Sequence, residues 1–306
     1  MFDTTAVLEP TFVESRHGRG TGLLIECDGK PLHAIDKAYV MTRLAAAGYL
    51  LLRGFLSDVD SFAALVRRLS VRVALDPARS FGGRDTVAQK VDAGFDAVGL
   101  HCENANSPFV PQLCWFHCEK AASLGSQTTV CDGHRVWDAL SPATRRAFLQ
   151  HDIVYSRRVE AAKWKLFAFH RLEGRKPLEQ ITLRDVIGDN PDLSRTEVTL
   201  EADGAIRYAH RVAAAHPTLF GERIAFANSI LGPSFNYEKP TITFDDGQAI
   251  PEAMLCEIAS VSEACTENIE WQHGDLLLID NTRVMHGRRA IVDPARTIFN
   301  ALSDLR

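Results

Sequence analysis

Three side chains suited to holding one divalent cation lie far apart in this chain, and that separation constrains the fold more than any other feature. His101-Cys102-Glu103 is answered much later by His286, inside Asp280-Asn281-Thr282-Arg283-Val284-Met285-His286-Gly287-Arg288. Two imidazoles and one carboxylate are the ligand set of the facial triad, which grips non-haem Fe(II) on one side and leaves positions open. On a β-strand alternate side chains share a face, so one strand is expected to present His101 and Glu103 together while Cys102 points away. A distant strand must bring His286 to them. That requires a closed or sandwiched β core that folds the end of the chain back onto its first half.

Composition is compatible with such a core. At 306 residues the chain is long for one ordinary domain, yet within reach of a β barrel or sandwich carrying insertions. Hydrophobic residues make up 46% and charged residues 24%, enough apolar material for a sizeable interior. The net charge is −5 and no basic stripe occurs, which argues against a nucleic-acid partner. No apolar run approaches the roughly 18 residues of a membrane span. Met1-Phe2-Asp3-Thr4-Thr5 lacks the basic and apolar regions of a signal peptide. A soluble, cytoplasmic protein acting on a small molecule is expected, with no sign of its oligomeric state. Seven cysteines without a CxxC spacing suggest no disulfide framework. Cys102, Cys114, Cys118 and Cys131 gather near His101 and keep a zinc site open, but they fall in apolar stretches and read as buried hydrophobes.

The first third alternates helix and strand. Asp36 is placed to cap a helix running through Leu44 with Gly48 to stop it, Tyr49–Leu52 reads as a buried strand, and residues 58–69 repeat at helical spacing. Residues 97–137 read as short strands. Ser141-Pro142 opens a helix over 142–150, and Ile153-Val154-Tyr155 leaves it as a strand. Between about 160 and 235 the texture changes: Lys163-Trp164-Lys165 precede a charged helical stretch near 177–187. Thr196–Leu200 and Ile206–Tyr208 then flank an Asp203-Gly204 hairpin turn. This block is expected to be an insertion covering one mouth of the core, where substrate contacts tend to sit. Pro251 opens a helix, Leu276–Asp280 is a buried strand, and a last strand spans Thr297–Leu302.

A bare His-x-Glu is common by chance, so the surrounding residues matter. Pro111-Gln112-Leu113-Cys114-Trp115-Phe116, Leu124-Gly125-Ser126-Gln127-Thr128-Thr129 and the run Gly274–Asn281 before His286 carry the signal. With the triad they resemble the taurine dioxygenase and clavaminate synthase-like superfamily of Fe(II)/2-oxoglutarate-dependent oxygenases, over about 98–140 and 271–303. The resemblance implies a mainly β fold with flanking helices, built on a double-stranded β-helix (jelly roll) core as one domain over 1–306. It makes His101, Glu103 and His286 the iron ligands, with no catalytic residue beyond them. It makes Thr128 the hydroxyl that bonds the distal carboxylate of 2-oxoglutarate, and Arg296 the guanidinium that pairs with it. A guanidinium grips a carboxylate bidentately, and a hydroxyl beside it fixes the rotation.

Two departures stand out: Gly125-Ser126-Gln127 replaces the family's Gly-Gly-Glu, and Asn300 stands where some members have a second arginine. Glu103 in the carboxylate position argues against halogenation and leans toward the clavaminate synthase-like branch, which often works on amino acids. The expected activity is O2-dependent hydroxylation of an unactivated C–H bond in a small polar metabolite, such as an amino acid or natural-product intermediate. Fe(II) is the cofactor and 2-oxoglutarate the cosubstrate. A zinc-dependent hydrolase could use the same three residues, but it would leave Thr128 and Arg296 idle. A non-catalytic barrel is the other alternative. His117, His134, His151 and His273 lack a paired ligand at strand spacing and read as structural. Asp280 and Asn281 read as turn-forming or supporting residues, and Trp115 as a core aromatic that could line the cosubstrate pocket.

Overall fold

Leu276-Leu277-Leu278-Ile279 is apolar at every position because the sheet that contains it is covered on both faces. The computed structural model describes residues 12–74, 81–84, 86–91, 94–172, 174–187, 194–232 and 238–305. The protein is mainly β, with several helices and, among the described residues, four sheets. The large sheet orders its strands Val13–Arg16, Leu23–Glu26, Tyr49–Arg53, Leu276–Asp280, Leu113–Lys120, Thr297–Asp304 and Arg72–Ala74, with Gln89–Lys90 pairing alongside Thr297–Asp304. Chain neighbours and chain-distant strands thus alternate in space, and residues near 50, 115, 277 and 300 lie side by side.

A smaller sheet of Thr266–Ile269, Thr128–Asp132, Val284–Arg288 and Val98–His101 faces it. The core between them holds Leu51, Phe116, Ile298 and Leu302 from the large sheet with Val130, Val284 and Ile269 from the small one. Period-two alternation then fixes what else points inward. Asn300 shares the face of Ile298 and Leu302, Thr128 that of Val130, and His286 and Arg288 that of Val284.

On its outer face the large sheet packs against helices Lys37–Ala47 and Val59–Leu69. Asp36 caps the first by accepting from the Tyr39 N–H, and Gly48 ends it at φ 82°, a conformation that costs glycine little. Helix Pro142–Gln150 begins at Ser141 as expected, and helix Glu252–Cys265 follows Pro251. Two helices were not anticipated. Gly133–Ala139 follows the small sheet with Asp132 as its cap, and Ala161–Arg171 contains Lys163, Trp164 and Lys165 within it rather than preceding a helix. Trp164 is buried there, its Nε1 donating to the Gly204 carbonyl at 3.0 Å, and Lys163 pairs with Glu238.

The hairpin Thr196–Leu200/Ile206–Val212 forms as the sequence suggests. Its second strand pairs with Ile153–Val159, which pairs in turn with Thr241–Phe244, so the 160–235 block is knitted into strands on either side of it. The block meets the rest of the protein just after the His101–Glu103 segment: the Tyr208 hydroxyl donates to the Asn106 carbonyl at 3.1 Å, and Phe167 packs tilted against Phe109 at 5.2 Å.

Candidate metal centre

His101 and His286 stand directly opposite each other on neighbouring antiparallel strands of the small sheet, their ring centroids 4.4 Å apart. Glu103 reaches them differently from the sequence expectation. The strand Val98–His101 ends at His101, so Glu103 lies in the turn that follows, where Asn104 adopts a left-handed φ of 58°. Asparagine tolerates that conformation better than most residues. The turn brings a Glu103 carboxylate oxygen to 3.3 Å from His286 Nε2 and 3.8 Å from His101 Nε2. One donor atom from each of the three residues lies within 4.8 Å of the others. Donors held about 2.1 Å from one first-row cation at right angles sit roughly 3 Å apart, so the cluster fits a divalent metal.

Supporting contacts orient these donors. His101 Nδ1 lies 2.8 Å from the Gly99 carbonyl, which can only accept, so Nδ1 carries the proton and Nε2 keeps its lone pair for the cluster. Asn281 clamps the turn from the far end of the chain. Its Oδ1 accepts the Glu103 N–H at 2.8 Å, while Nδ2 donates to the carbonyls of Glu103 at 3.1 Å and Pro111 at 2.8 Å. Cys102 points away into a separate apolar cluster; its N–H donates to the Asn228 carbonyl and its own carbonyl accepts from Ser229 Oγ. Glu103 is 7% exposed and His286 5%, which shields the cluster from bulk water.

Thr128 lies on the same inner face, and its hydroxyl accepts from Trp271 Nε1 at 3.0 Å. Arg296 joins Trp271, Ser126 and Ile298 in lining one cleft. Ser126, at φ 62°, organises that cleft. Its hydroxyl accepts from the N–H groups of Val292 and Asp293, and its carbonyl accepts from Arg296 Nη1. The serine that departs from the family pattern thus holds the loop that carries Arg296. Among the described residues no carboxylate pairs with Arg296, and its Nε has no partner. Burial first, and the neighbouring Arg288 second, lower its pKa to about 10. An under-neutralised cation in a lined cleft suits an anionic ligand. Arg288 was not singled out from the sequence. It follows His286 by two residues on the same face, is 7% exposed and donates to the carbonyls of Gly94 and Asp96.

The remaining histidines stay apart from the cluster. His117 stacks on Phe62 on the outer face of the large sheet, His151 bonds Asp245, and His273 meets the Glu119 carbonyl. Trp115 also faces outward, donating to Ser303 Oγ at 2.8 Å, so it is turned away from the inner face that carries Phe116 and Asn300. Burial pushes the Cys118 and Cys131 thiols up to about 12, as expected of cysteines packed as small hydrophobes. Among the described residues His101, Glu103 and His286 form the one group of three or more such side chains close enough to share a metal.

The family model described as taurine catabolism dioxygenase TauD, TfdA family matches residues 25–302. A clavaminate synthase-like protein of Arabidopsis thaliana is 24% identical over 295 residues, covering 87% of this chain and 84% of that protein. The dapdiamide synthesis protein DdaC of Enterobacter agglomerans is 26% identical over 297 residues, covering 89% and 85%. Among solved structures, PvcB, described as an Fe, alpha-ketoglutarate dependent oxygenase from an isonitrile synthetic pathway, shares the fold. Its TM-score is 0.59 at 16% identity, covering 96% of this chain and 91% of that one.

Proposed function

The chain belongs to the TauD, TfdA dioxygenase family, and from that premise we propose that it is an Fe(II)/2-oxoglutarate-dependent oxygenase hydroxylating an unactivated C–H bond of a small polar metabolite, such as an amino acid or natural-product intermediate. The observation that carries the reading is the convergence of His101, Glu103 and His286; Thr128 lies on the inner face of the same small sheet as His286, and Trp271, which bonds it, lines the cleft of Arg296. The facing sheets are read as a jelly-roll double-stranded β-helix in one oxygenase domain, and the 160–235 block as the region that covers substrate.

Bound there, Fe(II) and 2-oxoglutarate supply the oxidising chemistry: one O2 is consumed, the cosubstrate leaves as succinate and CO2, and a substrate C–H becomes C–OH. The chain's own contribution is positioning and exclusion of water. His101 and His286 present Nε2 lone pairs, the first fixed by the Gly99 carbonyl, and Glu103 completes the ligand face from a turn held by Asn281. Arg296 would pair with the distal carboxylate of the cosubstrate, and the Thr128 hydroxyl would steady it. Phe116, edge-on to His286 at 5.3 Å, walls the site with an apolar ring. The relatives' own roles support small-molecule oxidation, since one serves dapdiamide synthesis and PvcB an isonitrile pathway.

Anaerobic titration of the Fe(II)-loaded protein with 2-oxoglutarate tests this. The expected result is a weak visible metal-to-ligand charge-transfer band at one equivalent of iron, absent in His286→Ala. Metal binding without the band would transfer the site to the zinc hydrolase reading, and no stoichiometric metal binding would leave a non-catalytic barrel.

A further inference from the structure

Asn300 sits on the inner face of the large sheet with both ends of its amide unmet. It is 1% exposed, and among the described residues neither Nδ2 nor Oδ1 has a hydrogen-bond partner. Register fixes where it looks. Ile298 and Leu302 on either side pack into the core between the sheets, so Asn300 faces that interior too. It lies directly opposite Phe116 on one neighbouring strand and opposite Gln89 on the other. Cross-strand partners have Cβ atoms about 5 Å apart. The Phe116 ring in turn packs on His286. Asn300 therefore faces the cluster from the opposite sheet.

Buried side-chain amides are nearly always bonded, and the exceptions call for an explanation. A leucine or valine would fill this position beside Ile298 and Leu302 without desolvating a polar group. Exchanging the amide nitrogen and oxygen does not help, because both are unmet. The amide therefore fits a ligand, and the chemistry of the two ligands discriminates between them. As a dianion, 2-oxoglutarate carries a ketone and two carboxylates, all of them acceptors. It can satisfy Nδ2 but offers nothing to Oδ1. An anionic group on the primary substrate fails Oδ1 in the same way. The missing partner is an N–H or O–H.

We propose that Asn300 is a specificity-determining residue that recognises a neutral N–H- or O–H-bearing group of the primary substrate, of the amide or alcohol type, beside the His101/Glu103/His286 cluster. A carboxamide is the fullest match, since it meets both ends of the asparagine at once. This assignment rests on the oxygenase reading above and narrows its substrate class.

The test uses three probes of graded donor content: acetamide, N-methylacetamide and N,N-dimethylacetamide. Each is titrated anaerobically into the Fe(II)–2-oxoglutarate protein while the charge-transfer band is followed. The expected result is a saturable perturbation by the first two, with the donor-free dimethyl compound weaker by about tenfold, the worth of one net hydrogen bond. In Asn300→Leu the three probes should titrate alike, while affinity for 2-oxoglutarate stays within about threefold of wild type. The variant should melt no lower than wild type; if it does not fold, Asn300→Val is read in the same way. The assignment is overturned if the dimethyl compound acts as strongly as the others, or if no probe perturbs the band. It is equally overturned if Asn300→Leu weakens 2-oxoglutarate about tenfold, which would make the residue a cosubstrate ligand. Absence of the band in the wild type removes the oxygenase reading and this assignment together, whereas a band without discrimination among probes removes the assignment alone.

Discussion

Replacing Arg296 by leucine should move two measurements in opposite directions. The guanidinium is held with its pKa lowered from 12.5 to about 10, by burial first and by Arg288 second, with no carboxylate among the described residues to offset it. At about 1.4 kcal/mol per pH unit, that fall corresponds to roughly 3 kcal/mol of unfavourable placement in the ligand-free protein. Part of the side chain meets solvent, which discounts the figure to about 2 kcal/mol. The bond to the Ser126 carbonyl returns about 1 kcal/mol. Because the folded value lies below the unfolded one, the cost is fully present at neutral pH and lifts only as pH climbs through 10. Arg296→Leu should therefore raise the stability of the ligand-free protein by about 1 kcal/mol in urea unfolding. A bound carboxylate removes the same penalty in the wild type, so the variant should bind 2-oxoglutarate about 100-fold more weakly in the anaerobic charge-transfer titration. A variant that is less stable than wild type yet binds 2-oxoglutarate equally well would refute the reasoning, and Arg296 would then be a strut for the loop after Val292.

Two further outcomes follow from contacts around the site and beneath it. Asn281→Ala removes the two bonds to Glu103 and the one to Pro111 that tie the turn to the end of the chain, so Fe(II) affinity should fall about 10- to 100-fold with the sheets intact; unchanged iron affinity in a competition assay against a chelator would show that the turn's own backbone bonds hold it. His117 is buried with its pKa lowered to about 4, so the folded state favours the neutral ring; its contribution is complete above about pH 6.5 and is lost as pH falls toward 4. The wild type should lose about 2 kcal/mol more stability than His117→Phe between pH 7.5 and pH 5, and parallel urea curves for the two proteins would contradict this.

Much of the fold was legible because its signals are local. Asp36 and Gly48 bracket a helix, Ser141-Pro142 starts another, and Asp203-Gly204 turns a hairpin; in each case the chemistry lies within a few residues of the element it shapes. The two unanticipated helices lack that clarity. Residues 97–137 read as short strands, although Asp132 is in fact the cap of Gly133–Ala139. Glu160 makes no side-chain cap for Ala161–Arg171, so its start carries no mark. The spacing of buried Trp164 and Ala168, one helical turn apart, was the signal available.

The site divides along a similar line. His101, Glu103 and His286 were found by residue type and context, yet the strand that was to carry both His101 and Glu103 stops at His101. That break depends on Asn104 and on Asn281, the latter 178 residues beyond Glu103, and no local pattern contains both. Arg288 and Asn300 pose a different problem. Each is a polar residue in a strand, and its meaning turns on which face it occupies and which sheet lies opposite. For Asn300 that requires knowing that Ile298 and Leu302 point at Val130 and Val284 rather than at the helices on the other side. An amide facing the helices could be met by a helix end; the same amide facing the apolar core between the sheets finds no protein partner among the described residues. Candidate ligand residues announce themselves by type, whereas a polar residue inside a strand, such as Asn300, takes its meaning from the face it occupies, and only the pairing register of the folded sheets says which face that is.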